Sequence, residues 1–322
     1  RQQYVMVNGH VSPNKTVRCG VPQGSVLGPL LFLLYINDLF HSSNYLSFIL
    51  FADDTNVFFR HKDLATLVNI VNQELSYVSS WFNANKLTIH PDKSKFIIFH
   101  PRRKQIDLSE VNIYVNNTPV TRVEKCTFLG IVIHENLSWK HHINTVCDKV
   151  AKVIGILLKS RRHLPLDTLK TLYNSLFLPY INYCNLIWGS TFVSYLEPLY
   201  ILQKKAIRII TFSPPRTHSK PLFSKLNILS LHLLYKFHVS CFVFSYFNRL
   251  VPASLSSLLH LNREFHDYLT RSRLNLHKFS RRYQFAICSQ APTIWNDIPL
   301  TLRNSLAISN FKKKLKLYFL SL

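Results

Sequence analysis

Two adjacent acidic residues, Asp53 and Asp54, stand between two apolar segments of the chain. Residues 46–51 and 55–59 are predicted strands, which places both carboxylates at or beside the turn of a hairpin. Adjacent carboxylates repel each other, and a hard cation that seeks oxygen ligands would offset their charge. Acids of this kind are what two-metal phosphoryl transfer requires. The structural alternative is an ordinary solvated turn, in which aspartate is also a favoured residue.

A loop that contains glycine and proline precedes this hairpin at residues 20–28. Gly24 permits backbone dihedrals, or a close approach to a ligand, that a side chain would block. Gly28 followed by Pro29 predicts the start of a helix, because proline is tolerated in the first helical turn. Gln23, between Pro22 and Gly24, has no evident packing role, which sets the loop apart from the apolar helix that follows.

The loop at residues 22–30 and the segment at residues 51–54 resemble two successive palm motifs of reverse transcriptases. Their order and spacing are similar to those of non-LTR retrotransposons, in particular the jockey-like branch. The resemblance implies an α+β fold: a partial polymerase palm, with an antiparallel sheet and packed helices, then an all-helical thumb and a mostly helical basic C-terminal region. It implies an enzyme that extends a DNA primer on an RNA template, using deoxynucleoside triphosphates and Mg²⁺, with Mn²⁺ as the alternative ion.

The same resemblance gives roles to individual residues. Asp53 would be the main catalytic metal ligand and Asp54 its neighbour in the site, while Ala52 would leave the primer end uncrowded. The nucleotide and template would be bordered by the loop residues Pro22, Gln23 and Gly24.

Residues 87–99 resemble the fourth palm motif of the family. A lysine here can lie near the triphosphate and help protonate the departing pyrophosphate, so Lys93 is a catalytic candidate and Lys95 a nucleotide-binding candidate. For both, an exposed lysine at a strand edge is the alternative, and His90 stands where the family commonly has asparagine. Residues 128–133 resemble the hairpin that grips the primer, and this resemblance gives that role to Phe128, Leu129 and Gly130. A plain buried strand is the alternative there.

The resemblance also implies a third metal-binding aspartate, tens of residues before the Pro-Gln-Gly loop. No Asp or Glu occurs before Asp38 in this chain. We therefore expect a C-terminal portion of a longer reading frame, without the fingers or the third acid, that is inactive alone.

The charge distribution favours a nucleic-acid partner. The chain has 39 basic and 16 acidic residues, a net charge of +23. Residues 1–135 hold 13 basic and 10 acidic residues, a net charge of +3, whereas residues 136–322 hold 26 and 6, a net charge of +20. The second segment therefore carries nearly all of the field expected to attract a phosphate backbone.

Residues 138–162 form a basic amphipathic segment that resembles a helix of the thumb, and residues 166–180 and 195–211 are two more predicted helices. Their cations would contact phosphates of the template–primer duplex without reading its sequence, although a solvated helix face is the alternative. The candidate phosphate contacts are Lys149, Lys152, Lys159, Arg161, Arg162, Lys204, Lys205 and Arg208.

Three domains are predicted: a partial palm at residues 1–135, a thumb at 136–213 and a basic C-terminal region at 214–322. Arg271, Arg273, Arg281 and Arg282, with aromatic residues among them, could bind RNA or DNA or could surround a core. The apolar segment at 229–247 is interrupted by charged and histidine residues, which favours a buried helix over a membrane span. His141 and His142 are adjacent, so a solvated position is expected rather than a metal site.

Two further readings stay open beside the reverse transcriptase. One is a non-catalytic nucleic-acid-binding remnant of a retroelement, and the other an RNA-templated RNA polymerase or intron-encoded maturase that shares the palm. The expected partners are an RNA template, a DNA primer or target DNA, and deoxynucleoside triphosphates. We expect an intracellular protein that acts in the nucleus, with no membrane partner, and the sequence indicates no oligomeric state.

Overall fold

The computed structural model describes residues 2–17, 20–22, 24–101, 106–265, 273, 275–278 and 285–322. The chain divides into two compact units, with the division between Glu124 and Lys125. The first unit mixes short strands with helices and the second is mainly helical, which confirms the predicted α+β class. The three-part division at residues 135 and 213 stays a prediction.

Small two-stranded sheets characterise the first unit. β1 pairs with β4, β2 with β3, β5 with β6 and β8 with β9, all antiparallel, while β7 and β10 are parallel. The strands are β1 (Gln2–Gln3), β2 (Met6–Val7), β3 (His10–Val11), β4 (Lys15–Thr16), β5 (Ser47–Phe51), β6 (Asp54–Phe58), β7 (Lys95–Phe96), β8 (Tyr114–Val115), β9 (Thr118–Pro119) and β10 (Thr121–Arg122). The helices are α1 (Gly28–Ile36) and α2 (Leu64–Ala84), with 3-10 turns at Leu39–Ser42 and Pro91–Lys93.

Helix α2 organises the core of the first unit. Asp63 caps its N-terminus by accepting a hydrogen bond from the Thr66 amide at 2.8 Å, and this bond lowers the pKa of the Asp63 carboxyl. Leu75 and Val78 on its inner face are buried. The buried Glu74 carboxylate accepts hydrogen bonds from the Ser43 hydroxyl and, at 3.1 Å, from the Asn44 amide. Glu74 thereby fixes the segment that leads into β5.

The second unit opens with a hairpin and continues as packed helices. The hairpin strands are β11 (Lys125–Phe128) and β12 (Ile131–His134). The helices are α3 (Lys140–Ser160), α4 (Leu166–Leu172), α5 (Leu178–Asn182), α6 (Asn185–Trp188), α7 (Val193–Ile210), α8 (Ser219–Leu226), α9 (Leu231–Phe247), α10 (Ile287–Asn296), α11 (Leu300–Arg303) and α12 (Ile308–Ser321). Further single turns are 3-10 helices at Ala253–Leu255 and Asn262–Glu264.

One hydrophobic core joins the helices on both sides of residue 213. Ile143, Leu157, Phe177 and Ile207 from the first helices share it with Phe311 of α12. The side-chain amide of Gln203 is buried in this core. Its Nε2 donates hydrogen bonds to the Tyr173 hydroxyl at 3.0 Å and to the Leu229 carbonyl at 3.1 Å. Its Oε1 accepts a hydrogen bond from the Leu231 amide at 2.8 Å. Gln203 therefore fixes the start of α9 against α7, since each of its bonds lies in the protein interior.

The predicted helix at residues 166–180 is not continuous. A π-helical turn at Tyr173–Phe177 separates α4 from α5. Pro179 has no amide hydrogen to continue the α-helical ladder, and the wider turn accommodates it. Tyr173 and Phe177 are fully buried there with their rings stacked at 4.9 Å between centroids.

Among the described residues, no single helix is long and apolar enough to cross a bilayer. Helices α8 and α9 satisfy length and composition only as a pair bent by 45°. Several apolar side chains of α9, including Val239, Val243 and Phe244, are buried in the core of the second unit.

Candidate active site

The β5–β6 hairpin presents the two aspartates at its turn. Phe51 and Asp54 form the last pair of its antiparallel register, so Ala52 and Asp53 make a two-residue turn. Ala52 has φ of 51°, in the left-handed region that a tight hairpin turn needs. Further along the hairpin, Phe48 and Val57 pair across the strands and pack against the core. The packed end of the hairpin therefore supports a turn that carries two carboxylates.

Both carboxylates are exposed, and within the described part of the chain neither side chain makes a hydrogen bond or an ion pair. Two free carboxylates one residue apart offer the hard oxygen ligands that Mg²⁺ and Mn²⁺ prefer. The donor set therefore fits a divalent cation. No group of three or more metal-ligating side chains occurs among the residues that the structure describes.

The loop before α1 folds into a tight turn. The Ser25 amide donates to the Pro22 carbonyl at 3.1 Å, and Gly24 has φ of 81°. The Ser25 hydroxyl oxygen accepts a hydrogen bond from the Gly28 amide at 3.1 Å, and so caps the start of α1. Pro22 and Gly24 are exposed, which leaves their backbone accessible to a ligand. Gln23, the third predicted nucleotide- or template-binding residue of this loop, lies outside the described residues.

The two candidate lysines lie on the segment that follows α2. Lys93 ends the 3-10 turn at Pro91–Lys93, and Lys95 begins β7, where it pairs with Thr121. Both are exposed, and among the described residues neither joins Asp53 or Asp54 in an ion pair. The roles predicted for Lys93 and Lys95 therefore stay predictions.

The candidate primer-grip hairpin, β11–β12, belongs to the helical unit. Phe128 pairs with Ile131, so Leu129 and Gly130 form a two-residue turn with φ of 44° and 80°. Positive φ at both positions is typical of a type I′ turn, and a bulky residue such as leucine is unusual there. Phe128 and Leu129 are half-buried and Gly130 is exposed.

The predicted phosphate contacts differ in their exposure and in whether they bind an oxygen atom of the protein. Lys149, Lys152 and Lys159 lie exposed on α3, beside exposed Arg162 and half-buried Arg161, and Lys205 is exposed on α7. Two others have partners: the Lys204 ammonium lies 3.3 Å from the Glu197 carboxylate, and Arg208 Nε donates to the Thr217 carbonyl at 2.8 Å. The exposed set on α3 is therefore the better placed to meet phosphate.

One prediction about a histidine is wrong. His142 was expected in a solvated position, but it is buried on α3 and its Nδ1 accepts a hydrogen bond from the Val132 amide at 3.3 Å. Burial, with a smaller contribution from Lys149, lowers the pKa of His142 to about 4. His141, its neighbour, is exposed and stacks on His134 at 4.8 Å between ring centroids.

Sequence reasoning missed a pair of aromatic residues at the end of α5, Tyr180 within the helix and Tyr183 directly after it. The exposed Tyr180 ring lies 5.6 Å from the Lys149 ammonium, and the Tyr183 hydroxyl reaches the turn of the β11–β12 hairpin. The Tyr-x-x-Tyr spacing was the signal available, because residues three apart share a helix face. Of the C-terminal basic residues, Arg273 is described, whereas Arg271, Arg281 and Arg282 lie outside the described residues.

Comparison with known proteins places these features in a family. The reverse transcriptase (RNA-dependent DNA polymerase) family matches residues 1–133. A probable RNA-directed DNA polymerase from transposon X-element of Drosophila melanogaster is 30% identical over 221 residues, which cover 66% of this chain and 24% of that protein.

Two further relatives extend the comparison. The RNA-directed DNA polymerase from mobile element jockey of Drosophila melanogaster is 26% identical over 242 residues, or 72% of this chain and 26% of the relative. A retrovirus-related Pol polyprotein from a type-1 retrotransposable element R1 of Nasonia vitripennis is 22% identical over 179 residues, or 52% of this chain and 43% of that protein. The chain thus spans about a quarter of the length of the two Drosophila relatives. Residues 1–133 therefore match the reverse transcriptase family, and the chain is similar to polymerases of jockey-like non-LTR retrotransposons.

Proposed function

We propose that the chain forms part of the RNA-directed DNA polymerase of a non-LTR retrotransposon, which extends a DNA primer on an RNA template by nucleotidyl transfer. The observation that carries this proposal is the pair of exposed carboxylates at the β5–β6 turn, inside the segment that matches the family. Among the residues that the structure describes, neither carboxylate has a side-chain or backbone partner. Asp53 and Asp54 would hold a divalent cation through their carboxylate oxygens. When bound, Mg²⁺ or Mn²⁺ would activate the attacking hydroxyl and offset charge on the departing pyrophosphate.

Other residues of the first unit would position the substrates. The exposed backbone of Pro22 and Gly24 would border the nucleotide and template, since no Cβ at Gly24 limits the approach. Ala52, with only a methyl group at the turn, would leave space for the primer end. Lys93 would donate a proton to the departing pyrophosphate, a step for which an exposed ammonium is suited.

The exposed face of α1 supports a role within a larger polymerase. Leu30, Leu33 and Leu34 are each more than half exposed, and the helix is apolar on every side. Exposed apolar surface of this kind is usually covered by another element. We propose that further segments of the polymerase cover α1 and supply the third acid of the site, so that the chain is inactive alone.

The helical unit would bind the template–primer duplex. The exposed cations of α3 lie on a unit with few compensating acids, and such a surface attracts the phosphate backbone without reading its sequence. On α12, the exposed Lys312, Lys313 and Lys314 would serve as a nuclear address, for which a solvated helix end is the alternative. We therefore propose that the protein acts inside the cell, in the nucleus.

Primer extension by a chimeric polymerase tests this function. In the chimera, this chain replaces the matching region of the jockey polymerase, and activity is measured with Mg²⁺, deoxynucleotides and a DNA primer on an RNA template. We expect extended DNA from the chimera and none from the chain alone. RNA binding that persists and weakens with salt, without any extension by the chimera, would instead support a non-catalytic nucleic-acid-binding remnant.

A control with ribonucleoside triphosphates distinguishes the proposed reverse transcriptase from an RNA-templated RNA polymerase. If the chimera preferred ribonucleoside triphosphates to deoxynucleoside triphosphates, an RNA-templated RNA polymerase would be the better assignment. We expect the opposite preference, because each relative whose name states a polymerase activity is named an RNA-directed DNA polymerase.

A further inference from the structure

At the β11–β12 hairpin, the end of the family match and the division between the two compact units fall at different residues. The family match ends at residue 133, within β12, whereas the contacts group both strands with the helices that follow. Ile131 of β12 is buried in the core that α3 and α7 share. The last part of the matched sequence is therefore held by the helical unit.

Tyr183 closes the contact at the tip of this hairpin. Its hydroxyl donates a hydrogen bond to the Leu129 carbonyl oxygen at 2.6 Å. A Cβ placed on Gly130 would lie 3.4 Å from the Tyr183 ring, so the ring covers the turn. Leu129 has positive φ, a strained conformation for a bulky residue that persists only where the surroundings hold it. The bond to its carbonyl supplies such a restraint.

Tyr183 is itself fixed from the interior. Its carbonyl accepts a hydrogen bond from the indole N–H of Trp188 at 2.8 Å, and its amide donates to the Pro179 carbonyl at 3.0 Å. Trp188 is fully buried, so this anchor cannot move without disturbing the core. The hairpin has a second attachment at β12, where His142 Nδ1 accepts a hydrogen bond from the Val132 amide. The turn is thus tied to the helices at its tip and along one strand.

We propose that Tyr183 is a positioning residue for the primer strand, acting through the β11–β12 turn. This inference rests on the proposed function, because it takes the turn to be the primer contact. By holding the Leu129 carbonyl, Tyr183 makes the turn move as one piece with the helices that carry the cations of α3. The half-exposed Tyr183 ring and the nearby Tyr180–Lys149 pair continue this surface with groups that suit a nucleic-acid strand.

Tyr183→Phe tests the proposal because it removes the hydroxyl and keeps the ring. Tyr180→Phe is the matched control, since within the described residues the Tyr180 hydroxyl makes no hydrogen bond. The first readout is backbone hydrogen exchange across residues 125–134 in the chain itself. The second is the separate KM values for primer–template and for deoxynucleotide in the jockey chimera. The loss of one hydrogen bond corresponds to a change of about 2- to 10-fold.

We expect Tyr183→Phe to speed exchange at the turn and to raise the KM for primer–template by about 2- to 10-fold. The KM for deoxynucleotide and kcat should stay unchanged, and Tyr180→Phe should leave turn exchange unchanged. Gly130→Ala, which strains the turn because residue 130 has φ of 80°, should raise the same KM. Unchanged exchange in Tyr183→Phe would overturn the positioning role, as would an unchanged primer–template KM in an active chimera. A wild-type chimera that extends no primer would instead count against the proposed function, whatever the exchange result.

Discussion

Replacing Gly189 by alanine should destabilise the helical unit through a steric clash. Gly189 follows α6 with φ of −72°, so alanine meets no backbone restriction there. Its Cβ, however, would lie 2.5 Å from Tyr235 Cδ2 and 2.6 Å from the Asn185 carbonyl oxygen. One neighbour is backbone and the other is a buried ring, so neither can withdraw easily. Overpacking of this kind lowers the free energy of unfolding by about 1–3 kcal/mol, and we expect a decrease in the upper half of that range.

Gly155 offers the matched control within the same unit. It lies on the exposed side of α3, and a Cβ there would meet nothing within 4 Å. Because alanine is the better helix former, Gly155→Ala should stabilise the unit by about 0.5–1 kcal/mol. Urea unfolding, followed by tryptophan fluorescence and circular dichroism, measures both variants. Gly189→Ala with a midpoint equal to or above that of the wild type would refute the packing described for α6 and α9.

Three further outcomes are expected. His142→Asn removes a group whose pKa burial and Lys149 lower to about 4, and it can keep an acceptor for the β12 amide. In the wild type, between about pH 6.5 and pH 4, the unfolded chain binds a proton at this histidine and the folded chain does not. The free energy of unfolding should therefore decrease by on the order of 3 kcal/mol as the pH is lowered from about 6.5 to 4. The variant, measured by urea unfolding, should lose that part of the pH dependence. Gln203→Leu should cost about 2–4 kcal/mol by urea unfolding, because it leaves buried polar partners unpaired. Lys152→Ala should weaken binding to an RNA–DNA duplex and lower the salt slope by about 1, whereas Lys62→Ala in the first unit should change neither.

Periodicity and turn chemistry predicted the elements around the site well. The strands on both sides of Asp53 and Asp54 were confirmed to within one residue. These strands follow from a local signal, since short apolar segments flank the two acids. The local sequence was thus enough to place the two carboxylates at a hairpin turn.

Features that depend on tertiary contacts could not be read in the same way. The π-helical turn before α5 arises where Pro179 meets a packed core, and periodicity alone gives a continuous helix there. His142 lies on the helix face of the buried Val146, where β12 packs against α3, whereas its neighbour His141 is exposed. Gln203 lies in a basic helix, and its three partners come from distant segments. The contact of Tyr183 with Leu129 likewise joins residues far apart in the chain.

Primer extension by the jockey chimera carrying Asp53→Asn is the most direct test of the central claim. A catalytic metal site stabilises the transition state by several kcal/mol, and each 1.36 kcal/mol changes the rate tenfold. We therefore expect the rate of primer extension to fall by at least about 100-fold. Glu110→Gln removes another exposed acid of the same unit and should leave the rate unchanged. Asp53→Asn extending primers as fast as the Glu110→Gln chimera would contradict the assignment of the hairpin as the metal-binding site.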